Sequence, residues 1–173
     1  MAARPATPHP LVEQLRFTRA EWLRALRGVK ADEALRRIQP MNSIGWIVGH
    51  LAWQEQRYWL TRPRGDTPIP ALNRIVASGG PATTPPLDEM LAAWRTVTAA
   101  VDPWLDALTT AALLEPLPGS PPRSVGDSIR RVTYHCWFHI GEILAIRQML
   151  GHRRLPQFVG DIEGRAPHRA EDG

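Results

Sequence analysis

The sequence predicts an all-α protein built as a four-helix bundle, and three observations carry this prediction. Apolar residues recur at steps of three and four in four long segments, which is the spacing of one helix face. No segment shows the sustained alternation of a half-buried strand. Stretches rich in proline and glycine separate the periodic segments. Helices of this kind bury their apolar faces around a common core.

Length and composition predict one globular domain over residues 1–173, with a bundle core from about residue 10 to residue 152. The composition is 43% apolar and 22% charged, and no apolar run approaches the ~20 residues of a membrane span. The first residues lack the apolar segment of a signal peptide, and the single Cys136 cannot form an internal disulfide. We therefore expect a cytoplasmic protein without a membrane partner.

The net charge of +4 raises the question of nucleic-acid binding, but the basic residues are scattered among acidic ones. Short pairs such as Arg36-Arg37, Arg130-Arg131 and Arg153-Arg154 are typical of a solvated face. We expect no nucleic-acid partner. An alternative meaning of the arginines is the binding of a carboxylate on a substrate.

The first helix is predicted from about Pro10 to Val29, after a proline-rich leader. The second runs from Ile44 to about Leu60, and Asn42 or Ser43 can cap it. The core-facing residues predicted for these two helices are Leu11, Leu15, Thr18, Trp22, Ala25 and Val29, then Ile44, Ile47, Val48, Leu51, Glu55 and Tyr58.

A proline- and glycine-rich connection from Arg62 to Pro86 follows. It is long enough to return along the bundle, so the third helix can run parallel to the second in an up-down-down-up arrangement. This third helix is predicted to start at Thr84-Pro85, and Pro103 is expected to kink or interrupt it. Its predicted face is Leu87, Leu91, Trp94, Val97, Thr98 and Val101.

A second connection rich in proline, Glu115 to Pro122, leads to the fourth helix. Ser124 is its predicted cap and Leu150 its last residue, because Gly151 is a natural left-handed terminator. The tail from His152 to Gly173 has little periodicity. Part of it is expected to pack on the bundle through Leu155, Phe158, Val159 and Ile162.

Two histidines, His135 and His139, lie within the apolar stripe of the fourth helix. Burying an imidazole without a partner costs roughly 1–3 kcal/mol, so two buried imidazoles one turn apart require a partner that compensates this cost. Residues four apart project to the same side of a helix, where both can bind one metal ion. The alternative is a pair of core histidines that bond to the backbone or to each other.

The other candidates have more ordinary interpretations when taken alone. His50 has the sequence context of a partly buried histidine, and Cys136 that of a small core residue. Exposure is the expectation for His9, His152 and His168. Tryptophans near the candidate histidines, namely Trp46, Trp53 and Trp137, could wall a pocket.

Two stretches of the chain resemble the signatures of the DinB-like (DinB/YfiT) helical-bundle superfamily. They are SIGWIVGHLAW, which ends at Trp53, and HCWFHIGE, which ends at Glu142. The likeness covers about Pro10 to His152 and includes the helix order with its long second link. The resemblance implies that His50, His135 and His139 bind a divalent metal, commonly zinc or nickel and sometimes iron. It also implies a homodimer.

The activities that the resemblance implies are thiol-dependent S-transfer or isomerisation with mycothiol or bacillithiol, and metal-dependent hydrolysis. Family members are also fused to sulfoxide synthases, but that pattern has a glutamate two residues after the second helical histidine, whereas Glu142 comes three after His139. We therefore expect a thiol S-transferase or hydrolase that acts on a small-molecule substrate, with a low-molecular-weight thiol as cosubstrate. The alternative is a non-catalytic metal-binding or stress-associated bundle.

The chemistry of such a site follows from its ligands. Three neutral imidazoles leave a coordination position open for water or a thiol, either of which becomes a nucleophile near neutral pH. Glu142 lies on the same side of the helix as the histidine pair, where it could orient a ring or relay a proton. A solvated glutamate is the alternative. Glu55, on the apolar side of the second helix, is a similar candidate.

Overall fold

The computed structural model describes residues 7–118 and 122–169, and this part of the chain forms four long helices. They are α1 (Pro10–Ala25), α3 (Ile44–Gln56), α6 (Leu87–Asp106) and α8 (Val125–Met149). The shorter elements are α2 (Ala31–Leu35), a π-helical turn (Arg57–Thr61), α4 (Arg62–Arg64), α5 (Leu72–Ile75), α7 (Thr110–Leu114), β1 (Pro116–Leu117), β2 (Arg123–Ser124) and α9 (Ile162–Arg165). The predicted all-α fold is confirmed. The leader before residue 7, the link at 119–121 and the last four residues lie outside the described part.

The helix directions follow from contacts at both ends of the bundle. A Cβ on Gly45, at the start of α3, would meet Pro85 just before α6, while the Trp59 and Trp104 rings lie 5.5 Å apart near the other end. The long connection therefore returns along the bundle and leaves α3 and α6 parallel, as predicted.

The outer helices α1 and α8 are parallel as well. Leu11 lies 3.8 Å from the Cβ position of Gly126 at their beginnings, and Arg147 donates a hydrogen bond to the Ala25 carbonyl at their ends. An ion pair of 2.8 Å joins Arg16 to Asp106 at the end of α6, and the Trp22 ring lies 4.9 Å from the Trp94 ring nearer its beginning, so α1 and α6 are antiparallel. The arrangement is up-down-down-up.

Local capping sets the ends of the two helices that matter most for the site. The Ser43 hydroxyl accepts a hydrogen bond from the Trp46 N–H at 3.1 Å, so Ser43 rather than Asn42 caps α3. Ser124 caps α8 in the same way, and Gly151 follows α8 with a φ of 90°. These predicted caps are confirmed.

Two predicted boundaries were wrong, and one element was not predicted. Helix α1 ends at Ala25 rather than Val29, ahead of Gly28, whose φ is 83°. The second helix passes Leu60 and continues as a π-helical turn and α4 up to Gly65. The short antiparallel β1–β2 pair was not predicted, because strands of two residues have no periodicity.

Helix α6 continues through Pro103 to Asp106 without the expected interruption. Proline removes one helical hydrogen bond, here close to the end of the helix, where few turns depend on it. Val101 and Leu105 on either side are fully buried, and their packing holds this last turn in place.

The tail packs on the bundle as expected, mainly through Phe158. Its ring lies 5.9 Å from the Trp137 ring, and the Arg24 guanidinium lies 4.5 Å from its centroid. Val159 is half exposed and does not share this role. No helix in the described ranges is both long enough and apolar enough to span a membrane.

Candidate metal centre

Helices α3 and α8 bring the three predicted metal ligands together. His50 comes from α3, and His135 and His139 lie one turn apart on α8. One nitrogen from each ring can be chosen so that all three atoms lie within 4.8 Å of one another. The Nε2 atoms of His135 and His139 are 3.1 Å apart. Three imidazoles at these distances form a group that could hold one metal ion.

His50 is held by the rings on either side of it. The Trp46 ring stacks on it at a centroid distance of 4.6 Å, and the Trp53 ring at 5.2 Å. Every residue of α3 is buried, so an inward-pointing imidazole on this helix has no access to bulk water from most directions. The two tryptophans therefore fix the ring plane before any ligand binds.

The outer nitrogen of each imidazole faces an oxygen acceptor. The Nδ1 partners are the Val76 carbonyl for His50 at 2.8 Å, the Gln54 amide oxygen for His135 at 2.7 Å and the Glu142 carboxylate for His139 at 2.5 Å. An acceptor oxygen requires a proton on the nitrogen that faces it. Each Nδ1 therefore donates, and each Nε2 keeps a lone pair. This is the arrangement that orients metal-binding histidines in proteins.

When both Nδ1 atoms carry the protons, the Nε2 atoms of His135 and His139 cannot form a hydrogen bond with each other. Both carry lone pairs, and two acceptors 3.1 Å apart repel unless a cation or a proton lies between them. A proton on either Nε2 would force that ring to give up its bond to Gln54 or Glu142, or to carry a charge. The donor set therefore fits a divalent metal better than a pair of core histidines.

Burial keeps the imidazoles of His50 and His135 neutral. Desolvation lowers the pKa of His50 to about 4, with a smaller contribution from His139. Desolvation also lowers the pKa of His135 to about 3, and the charges of His139, His50 and Arg131 act in the same direction. Neutral imidazole is the metal-binding form, so near pH 7 these two rings need not release a proton to bind a cation.

A cavity of about 680 Å³ opens beside the site, with His50 and His135 in its wall. Trp53 and Tyr58 line one side of it, and Tyr134 lines the side formed by α8. A small molecule in this cavity would lie against the histidine group.

The predicted neighbours of the site divide into two sets. Glu142 contacts His139, as expected for a residue that orients this ring. Glu55 does not contact the histidines: its carboxylate binds Arg19 at 2.7 and 2.5 Å and the Trp59 N–H at 2.8 Å, so its predicted role was wrong. Trp137 lies away from the cavity, against Phe17 and Phe158.

The remaining candidates, Cys136, His9 and His152, are all at least partly buried. Cys136 is buried among apolar residues, and burial raises the pKa of its thiol, so it is a core residue as predicted. The expected exposure of His9 and His152 was wrong. His9 is buried and accepts a hydrogen bond from the Leu11 N–H, and His152 lies 3.2 Å from Glu33.

Sequence reasoning missed two residues that support the site, Gln54 and Val76. Gln54 follows His50 by four residues and so lies on the same face of α3, which is a signal that could have identified it. The Val76 carbonyl belongs to the long connection, and a backbone contact of this kind has no signature in the sequence.

A comparison with family models supplies independent evidence. The model described as the DinB superfamily matches residues 4–143, which is more than half of the chain and includes all three histidines. A comparison with curated proteins finds none that matches. The helix order, the histidine group and this match together show that the chain belongs to the DinB superfamily.

Proposed function

We propose that the protein is a divalent-metal-dependent enzyme that transfers a low-molecular-weight thiol to an electrophilic small molecule. The observation that carries this proposal is the group of three imidazoles whose ligand nitrogens lie within 4.8 Å of one another, with His50 and His135 in the wall of an open cavity. Zinc and nickel are the ions we propose for the site, and iron also accepts imidazole ligands.

In this proposal His50, His135 and His139 hold the metal through Nε2. When bound, a divalent ion lowers the pKa of a coordinated thiol and so supplies a thiolate nucleophile near neutral pH. Val76, Gln54 and Glu142 hold the three rings in the required tautomer and orientation. Glu142 is about one-third exposed, with 32% of its side chain accessible, so it can also exchange a proton with solvent.

The cavity favours catalysis over a purely structural site. Structural zinc sites are closed by four protein ligands, whereas catalytic sites use three and keep one position for water or substrate. A hydrolase would use the same residues with water in the open position. Assays with a thiol and with hydrolysable substrates separate these two reactions.

Metal content is the first test. The purified protein, loaded with zinc or nickel and desalted, should carry close to equimolar metal, and a His135→Ala/His139→Ala double variant should carry little. His168→Ala, which removes an exposed histidine far along the chain, is the control. Unchanged metal content in the double variant would refute the proposed site.

Activity is the second test. The loaded protein should accelerate transfer of a small thiol to an electrophile such as a bimane halide, and the double variant should not. Metal binding without thiol transfer or hydrolysis would favour the non-catalytic alternative.

We further propose a cytoplasmic location, from the features of the sequence given above, and a homodimer, from the family resemblance. Light scattering on the full chain tests the oligomeric state, and a mass equal to a single chain at micromolar concentration would count against the dimer.

A further inference from the structure

The cavity beside the histidine group has a positively charged wall. Arg57 lines it from the π-helical turn that follows α3, and Arg130 and Arg131 line it from α8. Asp127 is the single acidic residue among the described residues that line it. The sequence alone suggested a solvated face for the arginine pair. Both arginines are exposed, and the fold also places them in the lining of a cavity.

These arginines are poorly neutralised by the protein itself. Among residues 7–118 and 122–169, no carboxylate lies within 4.0 Å of Arg57 or Arg131. Arg130 meets Asp127 only at 4.0 Å, and both side chains are more than half exposed. An exposed ion pair of this kind contributes little, so the guanidinium groups are free to bind another anion.

Packing contacts position part of this wall. The Arg57 guanidinium lies 5.1 Å from the centroid of the Trp53 ring, and this same ring stacks on His50. A chain of contacts therefore joins Arg57 to the candidate metal centre through one side chain. Tyr134, which also lines the cavity and is 64% exposed, adds a flat apolar surface on which a carbon skeleton can rest.

We propose that this cavity binds a small molecule through an oxyanion, a carboxylate or a phosphate, held by Arg57 and Arg131, while the rest of the molecule points toward His50 and His135. The planar guanidinium matches both groups with paired N–H donors. A volume of about 680 Å³ accommodates a small organic molecule. This inference deepens the proposed function, on which it rests, by naming the substrate class as anionic.

The test uses the metal-free full-length protein and three probes. Succinate and inorganic phosphate carry the oxyanion, and succinamide has the carbon skeleton of succinate without charge. Binding is followed by calorimetry and by tryptophan fluorescence, since Trp53 lies in the cavity wall. At least one oxyanion should bind about tenfold or more tightly than succinamide. The tighter of the two identifies the group as carboxylate or phosphate.

Two double variants separate a specific site from general attraction to a basic protein. Arg57→Gln/Arg131→Gln should weaken oxyanion binding by about tenfold or more. Arg74→Gln/Arg95→Gln removes the same charge from exposed positions outside the cavity and should leave binding unchanged. Circular dichroism checks that both variants fold.

Equal binding of succinamide, no binding of any probe, or an equal loss in both double variants would overturn the inference. Because these measurements need no metal, they are independent of the catalytic proposal. Oxyanion binding by a chain that fails to bind metal would refute the proposed enzyme alone, whereas thiol transfer without oxyanion binding would refute this inference alone.

Discussion

At the scale of single residues, Gln54 decides the orientation of His135. Its side-chain oxygen accepts from His135 Nδ1 at 2.7 Å, and the residue is buried. Replacing Gln54 with Leu removes the acceptor, so the ring loses its fixed tautomer. We expect the metal affinity to fall about 10- to 100-fold, as for other residues that support metal-bound histidines.

Competition with a chelator of known affinity measures the effect of the Gln54→Leu change. Gln54→Glu is the matched control, because a carboxylate keeps an acceptor at the same position. The orienting role would be contradicted by a Leu variant that binds zinc as tightly as the Glu variant.

At the scale of elements, the close approach of α3 and α6 depends on Gly45. A Cβ at this position would overlap the backbone carbonyl oxygen of Pro85, which cannot move aside as a flexible side chain would. We expect Gly45→Ala to lower the free energy of unfolding by about 1–3 kcal/mol.

Gly141→Ala is the control for Gly45→Ala, because it makes the same change within a long helix where no atom beyond the adjacent backbone of that helix lies within 4 Å of the new Cβ. It should raise stability by about 0.5–1 kcal/mol through helix propensity. Urea denaturation measures both variants. Similar free energies of unfolding would show that α3 and α6 do not need this contact.

The attachment of the tail to α1 should depend on pH through Glu21. Burial raises the pKa of this carboxyl group, but hydrogen bonds from Arg24 and the Gly160 N–H outweigh burial and hold the pKa below its usual value of 4.5. A lowered folded pKa means that the contribution is complete above about pH 4.5 and is lost as pH falls through the folded value.

Hydrogen exchange or limited proteolysis of the tail between pH 6 and pH 3 tests the role of Glu21. Protection around Gly160 should decrease at the acidic end in the wild type. In Glu21→Gln the protection should be weaker at pH 6 and should change less with pH. Equal pH profiles would exclude Glu21 as the group responsible.

At the scale of the whole molecule, Arg19 ties three helices together. From α1 it binds Glu55 of α3 at 2.7 and 2.5 Å and Asp102 of α6 at 2.7 Å. Burial lowers the Arg19 pKa, but the two carboxylates, chiefly Glu55, outweigh burial and raise it. Arg19 therefore stays charged, and its buried charge is compensated chiefly by Glu55, whose side chain is only 5% exposed.

Removing the Glu55 carboxylate should destabilise the protein strongly. Glu55→Ala leaves a buried guanidinium without its main counter-charge, and we expect a loss of about 3–5 kcal/mol in the free energy of unfolding. Asp102→Asn is the control: this carboxylate is 43% exposed, so its loss should cost about 1 kcal/mol or less. Equal losses in denaturation experiments would contradict this assignment.

Much of the fold could be predicted because its signals are local. Apolar spacing predicts the faces of α1, α3, α6 and α8. Ser43 and Ser124 indicate where α3 and α8 begin, because each caps its helix by a local hydrogen bond, and Gly151 indicates where α8 ends, because it adopts a positive φ. The histidine spacing on α8 is a local signal too. At Pro103 packing overrides a local preference, and the predicted interruption of α6 was wrong.

By itself, the sequence determined the helix pattern, the DinB-like character and the candidate histidines. Only the tertiary structure decided that Gln54 and the Val76 carbonyl support the rings, that Glu55 faces Arg19 instead, and that Arg57 and Arg131 share one cavity. The physical reason is that periodicity describes which face a residue occupies, whereas a contact depends on how two faces from distant parts of the chain pack together.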